Sequence, residues 1–403
     1  MSALRRPAHS KSLAHFEMND PFISASTPFF ERQHLLVAVH ITHFAEREVA
    51  PRAANDEIDV HEGLRAYVHL LSEHDFLKYA IHDASQLFDS TSFCIIRERL
   101  SYFSSLADLA FAMQGLGTFP ISISPSSHVR EFWLNRALSN QAIAAFALTE
   151  PDAGSDVASL KTEGRRDGDA YIINGRKRFI SNAGVADFYT VFARTGTRDD
   201  GRAEISAFVV SAKMPGFTVV ERTEMMAPHP IGELEFKDCR VPAENMIGEP
   251  GEGLRLALRT LDVFRASVGA AACGMAGRAL DESIRYARRR VQFGKRLSEH
   301  QLIQEKLADM ATELDAARLL VYRAAYLGFN DASYAKRAAS EAKLFATEAA
   351  GRIIDQAVQI HGGSGLVRGS VVERLYRDVR ALRIYEGTSE IQKLVIANQL
   401  LKE

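Results

Sequence analysis

The sequence predicts a mainly α protein with a β middle domain, and three observations carry that prediction. Apolar residues recur at helical spacing over most of 29–138 and again from 253 to the end. Between about 140 and 245 the texture changes to short apolar runs split by Gly, Asp, Asn and Pro, as strands and turns require. There is no internal repeat and no low-complexity linker. The expected divisions are a disordered tail over 1–28, a helical domain over 29–140, a β domain over 141–247 and a helical domain over 248–403.

Each element has its own signal. "FFERQHLLVAVHITHFAEREVAP" (29–51) alternates apolar and charged residues at helical spacing and stops at Pro51. Further helices are expected around 61–74, 91–116 and 126–138. In the middle third, "AIAAFAL", "FYTVFAR", "ISAFVVS" and "LEFKDCRV" read as strands. "DAYIINGRKRFIS" reads as a hairpin turning at Asn174-Gly175, because a tight turn needs residues that tolerate positive φ. After "GEPGEG" (248–253) the helical period returns. "ASVGAAACGMAG" (266–277) is too short and too close to Arg265 and Arg278 to span a membrane, and reads as a face that lets another helix approach closely. Leu307, Met310, Leu314, Ala317 and Val321 form one stripe, a further helix covers about 334–360, and shorter ones reach 402. In the last, Ser389 and Gln392 have capping-box spacing ahead of Ile391, Leu394, Val395 and Leu401.

Composition narrows the function. The 403 residues are 46% hydrophobic and 25% charged with a formal charge of −2, which argues against nucleic acid or an anionic membrane as partner. Cys94, Cys239 and Cys273 are far apart and form no CxxC pair, so neither a disulfide framework nor a zinc site is supported. Without HExxH, metal chemistry has little support. A reducing, cytoplasmic setting is expected. "LRRPAHSKS" is basic and Ser-bearing like an organelle presequence, which would place the protein in the mitochondrial matrix, but Glu17 and Asp20 weigh against it.

Four stretches stand out chemically. "FALTEPDAGSD" (146–156) runs from an apolar strand into a loop dense with hydroxyls and backbone donors. Such a loop can hydrogen-bond a planar heteroaromatic ring or a phosphate, or be a plain β-turn. In "RRRVQFGKRLSEHQLIQEKLADM" (288–310), Arg290 offers a donor fork suited to a pyrophosphate and Phe293 a ring to pack on an adenine; a basic loop between helices is the other reading. "QIHGGSGLVRG" (359–369) follows a helical pattern, not a strand, so a Rossmann reading fails on context. Gly362 and Gly363 would end that helix, and His361 reads as structural. "RIYEGTSEIQ" (383–392) wedges Glu386 between an aromatic ring and a glycine just before the last helix.

Together, in this order and at these separations, the four stretches resemble the acyl-CoA dehydrogenase family of flavoproteins over roughly 27–402. The resemblance implies an N-terminal helical domain, a small β-barrel-like domain, a C-terminal four-helix domain, and FAD held between the last two. Phe146, Leu148, Thr149, Gly154 and Ser155 would line the flavin, with Ser155 also toward substrate. Phe179 would cover the ring and Ser181 hydrogen-bond near its reactive nitrogen. Arg290, Gln292, Phe293, Gln359 and Gly363 would hold the pyrophosphate and adenosine of a partner subunit's FAD, and Thr388 and Glu390 would contact the same cofactor. A homo-oligomer, a dimer or a dimer of dimers, follows, with an electron-transfer flavoprotein as electron acceptor.

Glu386 matches the family's catalytic base for α,β-dehydrogenation of an acyl-CoA to the trans-2-enoyl-CoA. A closed apolar pocket raises a carboxylate's pKa toward the value that proton transfer needs. Gly387 would leave room for substrate, Tyr385 would wall the thioester site, and Asp262 and Arg265 match positions at the CoA-side pocket. Several positions depart from the family pattern. Phe179 replaces a tryptophan, Ser181 a threonine, and "EMMAPHPIGELEF" (224–236) lacks the usual glycine/arginine pattern. Nothing in 104–119 places an arginine at the end of an acyl tail, so a neutral acyl chain of short or medium length, straight, branched or cyclic, is expected over a dicarboxylyl one. On the same fold the alternatives are an acyl-CoA oxidase-type enzyme and a catalytically silent flavoprotein scaffold; relatives of the silent kind tend to lose the glutamate kept here.

Overall fold

The computed structural model describes residues 22–24, 27–82, 88–124, 127–328 and 332–402. Five helices come first: α1 (Arg32–Phe44), α2 (Val60–Glu73), α3 (Ser90–Phe103), α4 (Ser105–Ser122) and α5 (Ser127–Leu138). The α1 path continues as a π-helical turn over Ala45–Val49 and stops before Pro51. The single helix expected over 91–116 is two helices, because Ser104 is extended and its hydroxyl accepts from the Ala107 N–H to start α4. Most of the tail expected over 1–28 lies outside the described residues. Its described part is packed rather than free: Ile23 is fully buried and the Phe22 ring lies 5.8 Å from that of Tyr322.

Eight strands follow: β1 (Ala144–Ala147), β2 (Glu163–Asp167), β3 (Ala170–Ser181), β4 (Phe188–Thr197), β5 (Ala203–Ser211), β6 (Phe217–Thr223), β7 (Ile231–Pro242) and β8 (Met246–Ile247). They form one sheet in the order β6-β7-β3-β2-β4-β5-β8, with β1 parallel to β4. The hairpin expected at Asn174-Gly175 is a correction. Those residues lie inside the continuous strand β3, where the register with β7 shifts between Ile173 and Gly175. The turn is two-residue, at Gly168 (φ +61°) and Asp169, between β2 and β3. Gly175 is needed for another reason: at φ +145°, a Cβ there would sit 2.7 Å from the Thr162 Cα.

The last part is helical: α6 (Gly253–Arg289), a small ribbon of β9 (Val291–Gln292) and β10 (Lys295–Arg296), then α7 (Gln301–Leu327), α8 (Ala332–His361), α9 (Val371–Leu382) and α10 (Ser389–Leu400). The small-residue face of α6 does what its composition suggests. A Cβ on Gly274 would come within 2.1 Å of the Glu98 carbonyl, so α3 packs directly against the α6 backbone. Helix α4 is buried nearly all round, as its mostly apolar sequence requires, and its polar Asp108, Gln114 and Thr118 are buried with hydrogen-bond partners. It meets the sheet closely at Gly117, whose carbonyl accepts from Thr190 Oγ1 at 2.8 Å. Helices α3, α4 and α8 all pack on α6, and α8 also packs on α9 and α10, which a short link joins.

Candidate active site

That link carries Glu386. Its backbone is left-handed, with Glu386 at φ +53° and Gly387 at +90°. Left-handed backbone is costly for a residue with a long side chain. Among the described non-glycine residues with positive φ, four are Asp or Asn, which tolerate it: Asp75, Asn140, Asn182 and Asp238. The other three are Phe179, Phe293 and Glu386, each singled out from the sequence as a site residue. The turn is held from two sides. Lys343 Nζ on α8 donates to the Gly387 carbonyl at 2.7 Å, and Gln392 Nε2 on α10 donates to the carbonyls of Gly387 (2.9 Å) and Glu386 (3.2 Å). The expected cap shifts by one residue: Thr388, not Ser389, is the N-cap of α10, and Gln392 serves the turn instead of a capping box.

Glu386 Oε2 is buried without a hydrogen-bond partner among the described residues. Burial pushes the carboxyl above its ordinary pKa, opposed by the charges of Arg97, Lys343 and Arg265, while Asp108 adds to the rise. Arg97 is itself fully engaged: Nε and Nη2 donate to the two oxygens of Asp108, both at 2.8 Å, and Nη1 donates to Ser267 Oγ at 2.9 Å. Arg265 pairs with Asp262 through Nη1. Tyr385, packed against the core, has its hydroxyl pKa raised by burial, against the pull of Arg97.

A cavity of about 980 Å3 opens beside this centre. Its buried end is lined by Phe93, Cys94, Ala266, Ser267, Ala324, Ala325 and Ala339. Its outer part carries Arg198, Arg202, Arg255, Arg259 and Lys336. Of the expected substrate residues only Asp262 lines it; Arg265 sits behind, linked through Asp262. Glu386, Tyr385 and Gly387 are not in the lining; Arg97, whose charge bears on Glu386, donates to the lining Ser267 Oγ at 2.9 Å. Ser155 is exposed on the nearby loop, whose Ala158 and Ser159 do line the cavity.

The expected flavin residues gather at the ends of β1 and β3. Leu148 is buried, Phe146 and Thr149 half-buried. Their loop is tied to β3 by the Arg178 N–H to the Thr149 carbonyl at 2.9 Å, and by the buried Lys177, whose Nζ reaches the Leu148 carbonyl (3.2 Å) and Glu150 Oε1 (2.7 Å). Phe179 remains half-exposed, Gly154 faces open space, and Asn182 Oδ1 is buried without a partner among the described residues. Ser181 Oγ lies 2.7 Å from His229 Nε2, and burial lowers that imidazole to a pKa of about 4. His229 comes from the stretch that departs from the family pattern.

The third group is exposed as a set. Arg290, Gln292, Gln359, Gly363 and Glu390 are exposed, and Phe293 is 95% exposed. Stacking of Tyr286 on His361 at 4.4 Å brings the end of α6, with Arg290, to the end of α8, with Gln359 and Gly363. Gly362 ends α8 at φ +57° and His361 is structural, its Nδ1 2.7 Å from the Ala357 carbonyl. Thr388 is half-buried in its capping role. Each group is thus gathered as a cluster, and Thr388 and Glu390 lie at the start of α10 beside the Glu386 turn.

Sequence reasoning missed Arg97, Asp108, Lys177, His229 and Lys343. Lys343 left a signal: Ser340, Lys343 and Thr347 form a polar line at helical spacing inside an alanine-rich helix, and all three are fully buried.

The family model described as acyl-CoA dehydrogenase, middle domain, matches residues 145–239, and that of the C-terminal domain matches 251–401. A 3-(aryl)acrylate reductase of Clostridium sporogenes is 39% identical, covering 93% of this chain and all of its own. The solved butyryl-CoA dehydrogenase from Megasphaera elsdenii superposes with a TM-score of 0.84 at 34% identity, over 92% of this chain and 99% of its own. An acyl-CoA dehydrogenase complexed with FAD from Bacillus anthracis gives 0.84 at 32%, over 93% of this chain and 67% of its own.

Proposed function

The chain belongs to the acyl-CoA dehydrogenase family, and from that premise we propose that it converts a neutral acyl-CoA to the trans-2-enoyl-CoA with Glu386 as the base that removes the α-proton. It is an oxidoreductase acting on CH–CH bonds, with FAD as its cofactor. The residues present fit that cofactor. At the ends of β1 and β3, Gly154 faces open space, Asn182 Oδ1 is buried without a partner among the described residues, and the Phe179 ring is held half-exposed by a left-handed backbone. FAD, when bound, supplies the acceptor for the β-hydride.

The single observation that carries the reading is the Glu386 turn: a long, half-buried carboxylate side chain in left-handed backbone, whose Oε2 is buried and unpartnered among the described residues. A buried carboxylate left without a donor costs stability, and such a group is a base awaiting a proton. Burial raises the basicity of Glu386, and the charges of Arg97, Lys343 and Arg265 oppose that rise and favour the carboxylate form. After taking the α-proton it is neutral, which the dry surroundings favour. The Glu386 N–H has no acceptor among the described residues and is the donor we assign to the thioester oxygen. The arginines and Lys336 of the cavity's outer part suit the phosphates of CoA. The apolar buried end suits an uncharged acyl group.

The exposed third cluster supports a homo-oligomer in which Arg290, Gln292, Phe293, Gln359 and Gly363 serve a partner's FAD. An electron-transfer flavoprotein is the proposed electron acceptor. The test is anaerobic mixing of the FAD-loaded protein with a panel of acyl-CoAs, reading flavin bleaching and identifying the product by mass. Bleaching with release of the enoyl-CoA is the expected result, and a panel that leaves the flavin oxidised would contradict it. Because a relative is named a reductase, enoyl-CoAs are run with the reduced protein as the reverse reaction.

A further inference from the structure

We infer that Lys343 is a positioning residue for Glu386: it fixes the Glu386–Gly387 turn and supplies the unneutralised positive charge that keeps the Glu386 carboxyl ionised. The inference rests on the reading of Glu386 as the base.

Lys343 is fully buried on α8. Taking an ammonium out of water costs several kcal/mol, so such a group is normally paired with a carboxylate. Here the recorded acceptor is a backbone carbonyl, that of Gly387, and Lys343 makes no ion pair among the described residues.

The charged groups that face Glu386 come from four helices: Arg97 from α3, Asp108 from α4, Arg265 from α6 and Lys343 from α8, with the Tyr385 hydroxyl on its own segment. Arg97 is bound at two points to Asp108, and Arg265 is paired with Asp262. Arg97 therefore has a carboxylate of its own, and Arg265 shares Asp262 with Lys336, whose Nζ lies 3.2 Å from the other carboxylate oxygen. Lys343 makes no such pair among the described residues. Glu386 is the foremost charge facing it, with the carboxylates of Glu348 and Glu390 adding to the attraction and the Arg265 guanidinium opposing it. Burial pulls its own pKa down to about 8, so its charge is present below that pH. Loss of the Lys343 charge leaves burial to raise the carboxyl with one opponent fewer.

The backbone assignment is separate from the charge. Gln392 also donates to the Gly387 carbonyl, so the turn keeps a second pin when Lys343 is replaced. That separation makes the charge testable on its own. Lys343→Met removes pin and charge, Lys343→Gln keeps a donor and removes the charge, and Gln392→Met removes a pin and no charge.

The experiment is the pH dependence of acyl-CoA-driven flavin bleaching in these variants and wild type, with flavin content and thermal midpoint measured for each. The expected result is an ascending limb moved up by about 1–2 pH units in Lys343→Met and Lys343→Gln, and unmoved in Gln392→Met. Slower bleaching at every pH with the limb in place would make Lys343 a structural pin and overturn the inference. If Lys343→Met does not fold, Lys343→Gln decides. A Glu386→Gln control separates the two failures: if it still bleaches, the base reading falls, whereas if it is inert and the limb of the Lys343 variants stays put, the Lys343 inference alone falls.

Discussion

Arg97 and Asp108 form a two-point ion pair, both contacts at 2.8 Å, with side chains only 2% and 4% exposed. The arginine sits beside Glu386, where a substrate carboxylate would seek it, but its charge is already matched. The wild-type protein is therefore expected to bleach faster with a neutral acyl-CoA than with glutaryl-CoA in an anaerobic assay. Glutaryl-CoA as the best substrate would mean that Asp108 yields Arg97 to the ligand. Asp108→Ala strands a buried guanidinium and should cost about 3–5 kcal/mol of stability.

Phe293 is the most exposed large apolar side chain among the described residues, at 95%, and it stands on a left-handed backbone. A ring displayed at such cost needs a partner. The purified protein is expected to be yellow, with one non-covalent FAD per chain, and to run as a dimer or tetramer on light scattering. Phe293→Asp should lower FAD retention although it touches little in its own chain. A monomer that holds FAD as tightly as wild type would contradict the shared site.

Asp378, on α9, has its pKa raised by burial to about 7, and Asp56 to about 6. Between the unfolded value near 3.8 and these raised values, the folded protein binds more protons than the unfolded chain. The stability from these groups is present at low pH and lost as pH rises through about 6 and 7. Asp378→Asn should melt close to wild type near pH 5 and above it near pH 8. A difference that does not change with pH would show that Asp378 carries no buried charge.

Much of the fold was legible because its helices are long and periodic. The stripe through Met310, Leu314, Ala317 and Val321 is buried as its spacing requires. Failures came where one residue changes the local geometry. Ser104 breaks a helix by capping the next one, and Asn174-Gly175 looks like a turn where Gly175 serves a bulge and close packing. Strand β2, "EGRRD", carries too much charge to read as a strand, since four of its five side chains face water. At the site, the local motif singled out Glu386, and its left-handed backbone and buried Oε2 mark the same residue. Its electrostatic setting was not legible, because Arg97, Asp108, Arg265 and Lys343 come from four separate helices and meet only on folding.

The central claim is that Glu386 removes the α-proton. Glu386→Gln keeps the shape of the side chain and loses the base, so FAD and acyl-CoA binding should persist. Glu386→Asp keeps the carboxylate but withdraws it by one methylene, and a misplacement near 1 Å can cost about 100-fold. The deciding measurement is anaerobic stopped-flow bleaching of the flavin by acyl-CoA in wild type and both variants at matched flavin content. The expected result is a loss of at least about 10²–10⁴-fold for Glu386→Gln, with Glu386→Asp between it and wild type. Near-normal bleaching by Glu386→Gln would contradict the assignment and leave the α-proton to another base.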